Sequence, residues 1–109
     1  MELVARQTAV GLLQVLQLSG EADLATLPRL SDLLTRLLAS STGTSVVDLD
    51  GIVVLDDAGL GLLLGAAGRA RQSGSDLVVV CSAGVLRDRL TTTGFDRAVR
   101  VVDSISAIA

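Results

Sequence analysis

Residues 48 to 57 read DLDGIVVLDD, and the four carboxylates of Asp48, Asp50, Asp56 and Asp57 are the side chains whose types and spacing come nearest to chemistry. Paired carboxylates can divide the roles of general acid and base, or share a proton. A denser set of oxygens could hold magnesium. Both readings need partners that the chain withholds. It has no His, so the usual acid/base and the commonest metal ligand are missing. All nine cationic side chains are Arg, so there is neither a Lys nucleophile nor a Walker-type lysine. Adjacent aspartates also rarely aim at one reacting atom. The plainer reading makes Asp56 or Asp57 a helix N-cap, where a carboxylate takes up free backbone N–H groups and complements the helix dipole for about 1 kcal/mol. The glycine-rich run GLGLLLGAAG lacks the G-x-G-x-x-G spacing of a dinucleotide site. No enzyme activity, metal or cofactor is therefore expected. The single Cys81 cannot form an internal disulfide and is expected to be a small hydrophobe ending a buried strand.

Composition narrows the function further. The chain has 109 residues, which suits one domain spanning 1–109, and 50% of them are hydrophobic, enough for a packed core. A net charge of -3 works against phosphate binding, and Phe95, the sole aromatic, offers no stacking platform, so nucleic acid is not an expected partner. The N-terminal MELVARQTAVGLL has no basic region ahead of an apolar stretch. The uncharged run from Ala58 to Gly68 is about half the ~20 residues of a membrane span. A cytoplasmic protein without membrane insertion is expected.

The acids must be held by the elements around them. Residues 3–8 suit a first strand, with Gly11 in a turn, and Leu12 to Leu18 a second strand that stops at Ser19-Gly20. Thr26 is placed to N-cap a helix with Pro28 in its first turn, and Leu27, Leu30, Leu33, Leu34, Leu37 and Leu38 form its apolar stripe. Asp32 and Arg36 can pair on the wet face. After a polar loop over 40–44, SVVDL reads as a buried strand, Asp50-Gly51 as a turn or bulge, and Ile52 to Leu55 as an extended piece leading into the acids. A helix over 59–71, a central strand over 77–81 and a helix over 84–90 follow, with Arg87 and Arg89 solvated or edging a partner surface and Thr91 to Gly94 ending the 84–90 helix. A strand over 99–102 and a terminal helix with Ile105 and Ile108, capped by Asp103 or Ser104, close the chain. Alternating strands and helices imply an α/β domain with one sheet.

In this order the residues resemble a known family. VVDLDGIVVLDDAGLGLLLGAAGRARQSGSDLVVV is similar to the central stretch of STAS-domain anti-sigma-factor antagonists, whose pattern runs through a V-x-L-D-L strand and an apolar run into D-S-[ST]-G-L-G. SGEADLATLPRL resembles the family's G-E-x-D segment, and RLTTTGFDRAVRVVDSISAIA its C-terminal part. The resemblance implies a mixed β-sheet of four to five strands with flanking α-helices. It also implies a partner, an anti-sigma factor that is a serine kinase of the histidine-kinase-like ATPase fold. In the family that kinase phosphorylates the first hydroxyl residue after the motif aspartate, which ends capture of the kinase. Residue by residue, Asp56 takes the motif aspartate, Asp57 falls on the phosphorylated serine, Ala58 on the second hydroxyl residue, and Gly59 and Gly61 on the glycines, with Leu60 between them. Gly20, Glu21 and Asp23 match G-E-x-D, whose loop should lie beside the phosphorylation site. Glu21, Asp23 and residues 56–61 are thus the expected partner-binding set, with any exposed apolar part of Ala58 to Leu64 as a docking patch. The departure is at Asp57, a fixed charge where a switchable serine is expected. Stand-alone domains of this family also serve as subunits of lipid-transport ATPase complexes, which gives an alternative role on the same surface.

Overall fold

A computed structural model describes residues 2–41 and 43–108, so Thr42 of the expected 40–44 loop lies outside the described residues, as do Met1 and Ala109. The chain forms one five-stranded sheet with strands in sequence order. β1 (Leu3–Val10) and β2 (Leu13–Ala22) form an antiparallel hairpin over a Gly11-Leu12 turn. β3 (Thr44–Leu55), β4 (Asp76–Val80) and β5 (Arg100–Val102) then continue parallel to β2. Helices α1 (Leu27–Ser40) and α2 (Asp57–Gln72) connect β2 to β3 and β3 to β4, and α3 (Val85–Thr92) and α4 (Phe95–Ala98) connect β4 to β5. This is the expected mixed α/β sheet.

The core follows from the side-chain periods. Leu16 and Leu18 of β2, Val47 and Leu49 of β3, and Leu77 and Val79 of β4 alternate onto one face. There they meet Leu30, Leu34 and Leu37 of α1 and Leu60, Leu63, Ala66, Ala67 and Ala70 of α2. The small residues of α2 let the helix lie close to the sheet. The opposite face holds only a minor cluster, in which Val15, Val46 and Val80 are covered by Leu13, Val102, Ile105 and Ile108. The C-terminal Ile residues reach this face from a short 3-10 turn, Ile105–Ala107, rather than from the expected helix.

Several sequence expectations are corrected. β2 does not stop at Ser19-Gly20 but continues to Ala22, because Gly20, Glu21 and Ala22 pair with Ile52, Val54 and Leu55 of β3. β3 is one strand, and Asp50-Gly51 is a bulge in it. Gln17 and Ser19 pair with Asp48 and Gly51, so β3 carries an extra residue there, and it carries another between Ile52 and Val54. Thr26 sits at the N-cap of α1 without making a side-chain cap bond. Its hydroxyl donates instead to the Glu21 carbonyl (2.9 Å) and accepts from the Asp23 N–H (3.0 Å), bracing the β2–α1 loop. Helix α3 runs on through Thr91 and Thr92, and the single turn of α4 had no expectation at all. Asp32 and Arg36 do pair, at 2.8 Å on the wet face of α1.

Candidate functional site

The C-terminal ends of β2, β3 and β4 lie at one pole, where the parallel strands release the β2–α1 loop, the start of α2 and the start of α3. Asp56 ends β3 with extended backbone and occupies the N-cap of α2, and its carbonyl accepts the Leu60 N–H at 3.1 Å. Its carboxylate makes no cap hydrogen bond, so the expected capping role is not filled by that side chain. The Asp56 N–H donates to the Ala22 carbonyl at 2.9 Å. That bond fastens the end of β3 to the segment holding Glu21 and Asp23 and brings the two sequence motifs together.

Asp57 opens the first turn of α2, where the helix dipole favours its charge. Its side chain is 92% exposed, and its Oδ1 lies 2.5 Å from Nη2 of Arg89 on α3, a residue expected to be solvated or to edge a partner surface. The pair neutralises part of the local negative charge, but an ion pair this open to water contributes little to stability. Arg87, likewise expected to be solvated, donates to the Cys81 carbonyl and to Asp103, both at 2.8 Å, and so ties α3 to the end of β4 and to the chain after β5.

The remaining candidates separate by burial. Ala58 and Gly61 are exposed beside Asp57, whereas Gly59 and Leu60 face the core and present no surface to a partner. A Cβ on Gly59 would lie 2.8 Å from a Leu55 methyl group, so this glycine serves close packing of α2 on β3. Glu21 and Asp23 are both half-buried, and the Asp23 carboxylate accepts the Thr26 N–H at 3.2 Å. Within Ala58 to Leu64 only Leu64 is an exposed large hydrophobic side chain, which leaves that stretch a poor apolar patch. The exposed apolar residues of this pole lie elsewhere: Leu24 in the β2–α1 loop, Val53 and Val54 at the end of β3, and Val85 at the start of α3. Sequence reasoning missed them. The signal available was their position, each at the same end of a parallel strand.

The other acid pair has different work. The Asp48 carboxylate accepts the Asp50 N–H at 2.9 Å, closing the bulge. Asp50 accepts from the Ser82 N–H (2.7 Å) and the Ser82 hydroxyl (2.8 Å), linking β3 to the β4–α3 loop. Among the described residues no three His, Cys, Asp or Glu side chains converge as metal ligands, and no helix is long and apolar enough to cross a membrane. Cys81 is buried just past β4, and burial, reinforced by the nearby Asp50 carboxylate, raises its thiol above the ordinary 9.0. A depression of about 410 Å³ between Asp50, Ile52, Ser82 and Val85 extends the pole toward α3. The exposed pole around Asp57 has no hydroxyl at position 57 or 58. What the pole offers is a fixed charge paired with Arg89 and, on neighbouring loops and strand ends, the exposed side chains of Leu24, Val53, Val54 and Val85.

Comparison with known proteins fits this geometry. The family model described as "Mlab, STAS domain" matches residues 6–103. An anti-sigma factor antagonist from Mycobacterium paratuberculosis superposes with a TM-score of 0.87 at 22% identity, over 97% of this chain and 90% of its own. The Bacillus cell fate determinant SpoIIAA in its phosphorylated form gives 0.69 at 16% identity, over 96% of both chains. A sulfate transporter family protein from Wolinella succinogenes gives 0.73 at 19% identity, over 91% of this chain and 83% of that one. At these identities the likenesses bear on the fold. No curated protein matches the chain significantly.

Proposed function

The chain belongs to the STAS-domain family, and we propose that it is a regulatory protein-binding module, an anti-sigma-factor antagonist that binds an anti-sigma factor serine kinase through the pole around Asp57. The observation that carries this reading is the position of Asp57, 92% exposed in the first turn of α2 beside the β2–α1 loop. Its surroundings suit recognition, with Leu24, Val53, Val54 and Val85 exposed at the same pole.

In this reading Asp57 stands for the phosphoacceptor serine and fixes the switch. Phosphoserine carries about -1.5 to -2 charge and three acceptor oxygens, whereas aspartate carries about -1 and two oxygens on a shorter arm. Arg89, paired with Asp57, reduces the charge presented to a partner further. The mimicry is therefore partial, and the protein stays competent to bind without responding to the kinase.

The test is co-purification from the native host with wild type and Asp57→Ser, followed by incubation of each with the captured kinase and ATP. Capture of an anti-sigma kinase by the wild type, with phosphate incorporated only by Asp57→Ser, is the expected result. Failure of both forms to capture such a kinase ends the proposal. A second reading, a STAS subunit of a lipid-transport ATPase complex, draws support from the same fold in a sulfate transporter family protein. Capture of a transport ATPase in place of a kinase would establish it.

A further inference from the structure

The sheet has two edges of different character. β5 ends one side and is only three residues long, too short to template another strand. β1 ends the other. It has eight residues, pairs with β2 without a register shift, and contains no Pro and no Lys. It thus lacks the bulge, proline and lysine devices by which edge strands are blunted.

Its backbone polarity can be assigned. The Glu2 carbonyl accepts the Glu21 N–H at 2.8 Å, so residue 2 and the alternate residues 4, 6, 8 and 10 bond inward to β2. Leu3, Ala5, Gln7 and Ala9 point their N–H and C=O groups outward. Arg29 Nε donates to the Leu3 carbonyl at 2.9 Å, which agrees with this polarity and satisfies one group at the strand's start. The side chains of Val4, Arg6, Thr8 and Val10 lie on the sheet face away from α1 and α2, with Val4 and Val10 about half exposed (50% and 45%).

We propose that β1 pairs antiparallel with β1 of a second copy of this chain, with Gln7 on the two-fold axis, giving one continuous ten-stranded sheet. Two-fold symmetry requires the paired positions to sum to an even number, which leaves few registers. Centring on Arg6 sets two guanidinium groups directly opposite, and such like-charge pairs are unfavourable. Centring on Ala5 or Thr8 sets Arg6 against a valine. Centring on Gln7 sets Val4 opposite Val10, Arg6 opposite Thr8 and Ala5 opposite Ala9, so that apolar meets apolar and each arginine meets a hydroxyl. In this register Gln7, Ala5 and Ala9 are the hydrogen-bonded pairs, which matches their outward-pointing groups. The contact is small, in the range of weak and transient interfaces below about 1,200 Å², so a concentration-dependent monomer–dimer equilibrium is the form it takes. The two copies would carry their Asp57 poles at opposite ends of the shared sheet.

Sedimentation velocity over a concentration series tests this on wild type, Gln7→Pro, Thr8→Arg and Thr8→Glu, with circular dichroism melts to show that each variant folds. Proline at 7 removes an N–H that makes no bond to β2, a position edge strands tolerate, and should leave a folded monomer. Thr8→Arg sets two new like-charge pairs across the interface and Thr8→Glu two opposite-charge pairs. From the range for cross-strand pairs the dimer Kd should rise and fall respectively by about two- to thirtyfold. A wild type that stays monomeric up to ~1 mM, the weak end of the affinity scale, overturns the proposal. So does a dimer indifferent to Gln7→Pro, or one in which the Thr8 variants act in the reverse order.

Discussion

In the segment from Asp48 to Gly51 both carboxylates turn back on the chain, Asp48 onto the Asp50 N–H and Asp50 onto Ser82. In the segment from Asp56 to Gly59 the Asp56 carboxylate makes no cap bond, and that of Asp57 meets only Arg89 at the surface. Each segment holds two aspartates and ends in a glycine on which a Cβ would have a near neighbour. The difference lies in the backbone beside them. A bulge exposes N–H groups that an acid must satisfy, whereas a helix start leaves its N–H groups facing water, and the acid there is free for another use. Acidic residue pairs are therefore informative about function only after the local demand for acceptors has been subtracted.

Substitutions can break that contrast in graded fashion. The largest effect is expected at Gly51, where a Cβ would sit 2.7 Å from the Ser19 Cβ and 2.8 Å from the Leu18 carbonyl. Gly51→Ala should lower unfolding free energy by about 2–3 kcal/mol, since neither obstacle is a movable side-chain end. Urea denaturation measures it, and an unchanged midpoint would mean the bulge is not needed. Asp50→Ala removes both bonds to Ser82, whose N–H and hydroxyl are exposed and can turn to water, and should cost about 1 kcal/mol, with faster amide exchange in the β4–α3 loop as its local sign. Gly59→Ala meets the movable end of Leu55, and its gain of about 1 kcal/mol in helix propensity offsets part of the strain. Its net change should stay below about 1 kcal/mol by urea unfolding. Asp57→Asn should shift stability by less than about 0.5 kcal/mol, because the ion pair it removes is exposed. A larger loss would place Asp57 with the structural acids and sharpen the contrast in the opposite direction.

The order of elements was legible because their periods are strong. Leu30, Leu34 and Leu37 mark α1 without ambiguity, and the unbroken run Leu77 to Val80 marks a strand covered on both faces. The extent of β2 was hidden because Ser19-Gly20 carries a turn signal that pairing with β3 overrides. Helix α4 escaped because four residues after a glycine show no period. At the site, the match of Asp56, Asp57 and the G-E-x-D loop was readable as a pattern, and the Asp56–Ala22 bond shows the two segments meeting. Two members of the pattern, Gly59 and Leu60, turned out to be buried, because a motif records packing and recognition in the same letters. Arg89 could not be foreseen, since only the α2–α3 approach carries it to Asp57 from 32 positions away.

Cys81 makes the molecule a gauge of its own breathing. A buried thiol whose ionisation is pushed up by its surroundings reacts with alkylating reagents only when the end of β4 opens. With no other cysteine to compete, the labelling rate divided by that of the unfolded chain reads the opening equilibrium at the C-terminal end of β4. Followed with and without a bound partner, that ratio would report how much clamping the Asp57 pole tightens the end of β4 beside it.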